Sequence, residues 1–356
     1  MSGEAAGAPP FSWPRVLSLL LEGRSLSEQD SAGAMTEIMA GAAAPSQIAG
    51  FVVALRAKGE TVDELVGLVR TMRAYAHRVP GTGAVLDTCG TGGDRAGTFN
   101  VSTAAALVCA GAGVMVAKHG NRAASSRCGS ADVLEALDVR IDLPPEGVAA
   151  CIERAGIGFC FAPLFHPAMR HAAAPRRELG IPTIFNFLGP LTNPAGVTRQ
   201  ALGVSDRRML DVMVGALGRL GSERVVGFHG HEGLDELATS GPSEVVELRA
   251  GRIERWTLDP RSLGLRLAPL SDVAGGTADD NARAITAVLD GAGGPRRDIT
   301  LLNAAAGLLA AGRAETMQEG LEEAAAAVDS GAARAALEAL VHASQAAGSD
   351  GSAEPA

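Results

Sequence analysis

Three polar segments, each directly after a short apolar run, carry the residue types that bind phosphate and metal. The first is Asp87-Thr88-Cys89-Gly90-Thr91-Gly92-Gly93-Asp94, followed by Thr98-Phe99-Asn100-Val101-Ser102-Thr103. Its order is strand, glycine-rich loop, helix start. Unpaired N–H groups at a helix start attract anions, and glycines let the backbone approach a phosphate closely. No Gly-Lys-Ser follows, so it is not a Walker loop, and its spacing is not a dinucleotide fingerprint. The second segment is Lys118-His119-Gly120-Asn121-Arg122-Ala123-Ala124-Ser125-Ser126-Arg127-Cys128-Gly129-Ser130. Its ammonium, imidazole, amide, guanidinium and hydroxyl groups are dense donors for a polyanion. The third is His229-Gly230-His231-Glu232-Gly233-Leu234-Asp235-Glu236, whose paired carboxylates suit Mg²⁺, a hard cation that takes oxygen ligands and phosphates. His229 and His231 have no third ligand at zinc spacing.

Each segment also has a plainer reading: a surface turn, a solvated loop that caps the helix near Ser130, and an acidic pair complementing a helix dipole. A fourth segment runs from Ala162 to His171 and includes Pro163, His166 and Met169. Arg176-Arg177 and Asn186-Phe187-Leu188-Gly189-Pro190-Leu191-Thr192-Asn193-Pro194 follow. An apolar wall beside arginines suits an aromatic acid, the ring packing while an Arg forks the carboxylate. A helix with Arg on its wet face is the alternative.

The elements that must position these groups change character at Pro80. From Trp13 to Tyr75 the apolar spacing is helical, with breaks at 23–27 and 44–46, and predicts about four helices without strands. Ser46 is a candidate cap. Thr61 with Glu64 forms a capping-box pattern. Beyond Pro80, short apolar runs (84–86, 113–117, 158–161, 224–229) alternate with helical stretches (103–110, 132–137, 209–220) and a helix-rich tail over 303–340. This pattern predicts an α/β domain with a mainly parallel sheet, whose strand ends are the expected ligand site. Residues 11–80 then form a small all-helical domain and 81–345 the α/β domain. The polar ends, 1–10 and 346–356, read as disordered.

Composition narrows the partners. A net charge of -9 over 356 residues argues against nucleic acid, which attracts basic surfaces. With 47% hydrophobic but only 3% aromatic residues, the core should be layered aliphatic side chains. Cys89, Cys109, Cys128, Cys151 and Cys160 contain no CxxC pair and read as reduced thiols of a cytoplasmic protein. Neither a signal peptide nor a membrane span is indicated.

Taken together, Asp87 to Asp94, Lys118 to Ser126 with Gly129 to Leu137, Gly189 to Pro194 and Gly233 to Glu236 resemble the anthranilate phosphoribosyltransferase family of tryptophan biosynthesis. The resemblance covers nearly the whole chain. It implies a fold of nucleoside phosphorylase/phosphoribosyltransferase type, a homodimer, and a hinge cleft between domains, with part of 163–195 joining the helical domain. The activity implied is transfer of the phosphoribosyl group of phosphoribosyl pyrophosphate (PRPP) to the amine of anthranilate, releasing pyrophosphate. By the same resemblance, Gly90, Gly93, Asp94, Thr98, Asn100, Val101, Ser102, Thr103, Lys118, His119, Gly120, Asn121, Arg122, Ala123, Ala124, Ser125, Ser126 and Ser130 form the PRPP site. Ser102, Asp235 and Glu236 contact Mg²⁺. Gly90, Asn121, Pro163, His166, Met169 and Arg176 meet anthranilate, and Lys118, His119 and Asn121 serve catalysis.

Departures from the family pattern are Asp138 where Gly is usual, Pro175 where Val is common, and Met169 where some members have Tyr. The expected transition state is oxocarbenium-like, so stabilising the departing diphosphate matters most. No essential general base is expected, and His119 should orient the amine or carboxylate. A pyrimidine nucleoside phosphorylase and a non-catalytic nucleic-acid-binding relative are the competing readings.

Overall fold

The computed structural model of the chain describes residues 10–123 and 127–350, with side chains to 348. Four helices open it: α1 (Trp13–Leu21), α2 (Glu28–Met39), α3 (Pro45–Lys58) and α4 (Val62–Ala74). Thr61 caps α4 as its spacing predicts. Glu64 Oε2 accepts the Thr61 N–H at 2.8 Å, and the Lys58 ammonium lies 3.0 Å from the same oxygen. Glu64 Oε1 accepts the Leu26 N–H at 2.8 Å, so this fully buried carboxylate is satisfied on both oxygens. Ser46, by contrast, is not a cap. Pro45 starts α3, Ala44 is its N-cap, and the Gln47 side chain accepts the Ala44 N–H at 2.8 Å.

A seven-stranded sheet follows: β1 (Leu86–Gly90), β2 (Val116–Gly120), β3 (Ile157–Phe161), β4 (Arg199–Gly203), β5 (Arg224–His229), β6 (Ser243–Arg249) and β7 (Arg252–Leu258). Their order is β3-β2-β1-β4-β5-β6-β7. The first five strands are parallel, and β6 and β7 add an antiparallel hairpin at one edge. Between the strands lie α5 (Val101–Gly111), α6 (Ser130–Ala136), α7 (Pro145–Ala155), α8 (Ala162–Phe165), α9 (Arg170–Leu179), α10 (Phe185–Leu188) and α11 (Arg207–Arg219). After the sheet come α12 (Ala278–Leu289), α13 (Pro295–Ala311), α14 (Met317–Asp329) and α15 (Ala332–Asp350). Residues 346–350, expected to be disordered, thus continue a helix that packs on α5 and α7.

Two of the expected boundaries move. The apolar runs ending at Leu86 and Ala117 continue as strand through Asp87-Thr88-Cys89-Gly90 and Lys118-His119-Gly120. These polar residues are in the sheet, not in the loops after it.

The core has two parts. One face of the sheet is covered by α5, α13 and α15, with α14 packed outside them, and α13 is buried at every position from Ile299 to Ala310. Its alanines permit this close helix packing. On the other face, α11 packs on β5, β6 and α4, and one apolar cluster joins Phe51, Leu65 and Leu68 to Ala172, Ile184, Phe187 and Met213. Burying each large apolar side chain contributes roughly 1.5–3 kcal/mol. The chain therefore crosses back from the α/β part to the helical part between β3 and β4.

Candidate functional site

A cleft of about 620 Å³ opens at the C-terminal ends of β1 and β2, walled on the far side by α9 and α10. It brings together Gly90, Gly93, Asn100, Ser102, Lys118, His119, Gly120, Asn121, Arg122, Ala123, Ser130, Pro163, His166, Met169, Arg176, Asp235 and Glu236. These residues come from sequence segments as far apart as Gly90 and Glu236, gathered because parallel strands deliver their ends to one edge.

Lys118 is buried on β2. Its ammonium donates to the Thr88 carbonyl at 2.6 Å and to Ser102 Oγ at 3.3 Å. An ammonium has three donors, so one is left for an anion in the cleft. Beneath it Asp87 is wholly buried; burial raises its pKa, and the Lys118 charge opposes that rise.

The acidic pair sits in a loop rather than at a helix start. Asp235 Oδ2 accepts the Gly92 N–H at 2.6 Å, and Glu236 Oε1 accepts the Ser102 N–H at 3.1 Å. The amides that the sequence assigns to phosphate are here held by these carboxylates. A Cβ at Gly90 would strike the Asp235 carboxylate, and one at Gly203 its backbone oxygen, so small residues make the seat for this loop. Asn303 on α13 braces it, accepting from the Leu237 N–H at 2.8 Å and donating to the Leu237 carbonyl at 3.0 Å.

Both carboxyls have raised pKa values, burial being the main cause. Asp94 adds to the rise at Asp235, and Asp235 to that at Glu236. Among the described residues no cluster of three or more His, Cys, Asp or Glu has metal-holding geometry. Two buried carboxylates short of positive charge fit Mg²⁺, which is commonly bound through one or two carboxylates plus substrate phosphates.

The opposite wall is largely apolar, with Arg170 and Arg176 on it. His119 Nδ1 lies 3.0 Å from the Gly189 carbonyl, and its ring centroid is 5.3 Å from that of His166. Burial pushes the His119 pKa down to about 3, helped by His166, and that of His166 down to about 4. Both rings are neutral. His119 Nε2 lacks a protein partner. Arg176 on α9 lies over the Phe185 ring at 5.4 Å, its pKa lowered by burial.

Some expected residues do not line the cleft. Val101 is buried in the α/β core, Thr103 is buried beside it, and Thr98 pairs with Ala274. Helical periodicity explains the first two, since only Ser102 of that turn faces the opening. Asp94 lies beside Asp235 outside the lining. Arg122 lines the mouth, but its guanidinium is engaged by Asp132 at 3.0 Å and by Glu135. Ala124, Ser125 and Ser126 lie outside the described residues.

Sequence reasoning missed Met72 and Phe185 on the lining, gave no site role to Cys89, Gly189 and Pro190 within the segments it singled out, and missed Gln200, which donates to the Pro190 carbonyl at 2.7 Å. Met72, Phe185 and Gln200 had no local signal. Of the departures, Asp138 has φ 64, the left-handed conformation that explains a usual glycine and that Asp tolerates. Pro175 is buried within α9, and Met169 lines the cleft.

Comparison with known proteins agrees with this architecture. Residues 14–76 match the helical bundle domain of the glycosyl transferase family, and residues 82–334 match its a/b domain. Anthranilate phosphoribosyltransferase of Arthrobacter sp. (strain FB24) is 54% identical over 343 residues, spanning 95% of this chain and 96% of that protein. The crystal structure of anthranilate phosphoribosyltransferase from Thermus thermophilus superposes with a TM-score of 0.86 at 45% identity, over 93% of this chain and 99% of that one. The Saccharomyces cerevisiae enzyme in complex with PRPP and Mg gives a TM-score of 0.85 at 28% identity, over 94% and 98%. The chain belongs to the anthranilate phosphoribosyltransferase family of glycosyl transferases.

Proposed function

We propose that this cleft joins the amine of anthranilate to the ribose of PRPP, giving N-(5-phosphoribosyl)anthranilate and pyrophosphate, the family's step in tryptophan biosynthesis. The observation that carries the reading is the division of one cavity into two walls. One holds the Lys118 ammonium, Ser102 and the Asp235–Glu236 pair; the other is apolar and contains Arg176. The first suits a diphosphate, the second an aromatic carboxylate. Phosphorolysis of a pyrimidine nucleoside would leave the Arg176 wall without a role.

Ser102, Asp235 and Glu236 would hold Mg²⁺, which when bound supplies charge to neutralise the diphosphate. Lys118 stabilises the negative charge that grows on the departing group, in a site screened from water by α9 and α10. Gly90, Gly93, Asn100, Asn121 and Ser130 position the diphosphate and ribose, with Asp94, Arg122 and Ala123 beside them. Arg176 forks the anthranilate carboxylate while Pro163, His166 and Met169 pack its ring. The neutral His119 and Asn121 orient the amine, which is already nucleophilic, so positioning supplies most of the remaining rate.

The helical unit 11–80, extended by part of 163–195, closes on the α/β unit about a hinge. The protein works as a homodimer; Leu21 on α1 and Val53 on α3 are exposed apolar side chains suited to burial between copies. Its compartment is the cytoplasm, where five buried free thiols stay reduced. No helix among the described residues is long and apolar enough to cross a membrane.

The test is loss of anthranilate fluorescence on mixing protein, PRPP and Mg²⁺. Loss that needs both PRPP and metal supports the reading. No loss from folded protein, with thymidine phosphorolysis in its place, overturns it.

A further inference from the structure

The parallel ladder between β1 and β2 is nearly absent. Only Leu86 and Val116 pair, whereas β1 pairs with β4 from Leu86 to Gly90 and β2 pairs with β3 from Val116 to Gly120. Continuing the Leu86–Val116 register would set Thr88 opposite Lys118, and the Thr88 carbonyl would take the His119 N–H. Side chains occupy those positions instead. Asp87 Oδ1 accepts the His119 N–H at 3.1 Å, Asn193 Nδ2 donates to the Ala117 carbonyl at 2.7 Å, and Lys118 Nζ reaches the Thr88 carbonyl at 2.6 Å. Asn193 Nδ2 also donates to Asp87 Oδ2 at 2.8 Å, and its Oδ1 accepts the Ala195 N–H at 2.9 Å. Asp87 and Asn193 are both buried, and neither lines the cleft.

We infer that Asp87 and Asn193 are positioning residues for the transfer, holding the β1–β2 seam open so that the Lys118 ammonium is anchored at Thr88 with a donor facing the cleft. A closed ladder would give the Thr88 carbonyl to the His119 amide and leave the ammonium without its anchor. Asp87 also supplies a buried negative charge close to Lys118, which a neutral seam would lack. Asn193 lies where the chain passes from α10 back to β4, so the placement of Lys118 depends on the connection between the two units. The inference rests on the phosphate role proposed for Lys118.

Kinetic double-mutant cycles test it, using Asp87→Asn, Asn193→Ser and Lys118→Met in the full chain, with circular dichroism melts to check folding. Asp87→Asn and Asn193→Ser should each lower kcat/KM for PRPP by about 10- to 100-fold, the scale of a misplaced catalytic group. The anthranilate KM should change by less than about 2-fold. In the Lys118→Met background both substitutions should be nearly silent, since a residue that acts through Lys118 has nothing left to position. Losses that multiply with that of Lys118→Met, or that come mainly as a rise in the anthranilate KM, overturn the inference while leaving the Lys118 reading intact. Normal PRPP kinetics in Lys118→Met alone would remove both. Should Asp87→Asn fail to fold, the Asn193→Ser cycle decides by the same criterion, because it keeps the Asp87 charge.

Discussion

Glu236 caps helix α5 from a loop 134 residues away in sequence, its Oε1 accepting the Ser102 N–H at 3.1 Å. The same helix start is where a diphosphate should bind. Carboxylate and phosphate therefore compete for one amide unless a cation draws them together. With Asp235 on the Gly92 amide, the glycine loop and the helix start are both held by the acidic loop.

This arrangement places strain in the free protein. Burial raises the pKa of both Asp235 and Glu236, with Asp94 adding to the rise at Asp235 and Asp235 to that at Glu236. Asp235→Asn or Glu236→Gln should therefore raise the melting temperature in the absence of PRPP and metal, while lowering Mg²⁺-dependent turnover by about 100-fold or more. A variant that melts lower yet keeps its metal dependence would contradict the assignment.

Gly90 and Gly203 should tolerate no side chain without loss. An alanine at Gly203 would press on the Asp235 backbone, and one at Gly90 on its carboxylate. Gly90→Ala should fold but lose about 10- to 100-fold in kcat/KM for PRPP, since the new methyl meets a side-chain carboxylate that must turn aside, not a backbone oxygen as at Gly203. Gly203→Ala should also lose about 1–3 kcal/mol of stability, read from urea melts.

Arg176→Ala should raise the anthranilate KM far more than the PRPP KM, as measured in initial-rate titrations of each substrate. Arg176→Lys should recover little, because an ammonium cannot fork a carboxylate. Equal effects on the two substrates would move Arg176 out of the anthranilate wall.

The two histidines should not titrate in catalysis near neutral pH, but their titration should be visible in stability. Their pKa values fall from 6.5 to about 3 for His119 and about 4 for His166. Unfolded, each takes a proton near 6.5; folded, it resists until far lower pH. The stability this represents is present above pH 6.5 and drains away as pH falls through the folded values. The profile of kcat/KM for anthranilate should show no inflection near 6.5 that disappears in His166→Gln. The acid unfolding curve of that variant should be flatter below 6.5.

The local order of the chain carried much of this protein by itself. Helical spacing before Pro80, the Thr61–Glu64 box, the glycine loop and the alternation beyond Pro80 were all legible, because each depends on neighbours within a few residues. So was the list of polar segments that meet in the cleft. The strand ends were misjudged: Asp87-Thr88-Cys89-Gly90 and Lys118-His119-Gly120 read as loops because strand signals rest on apolar side chains. Strands β4, β6 and β7 gave no clear signal either.

Tertiary structure alone decided which polar groups work together. Whether Asp87 faces Asn193, Glu236 meets Ser102 or two histidines become neutral depends on strand order and burial. Those are set by contacts across more than a hundred residues, and pairing of that kind leaves no local periodicity. The chemistry of each residue was written in its type, but its protonation, its partner and its aim were fixed only when the sheet gathered the strand ends.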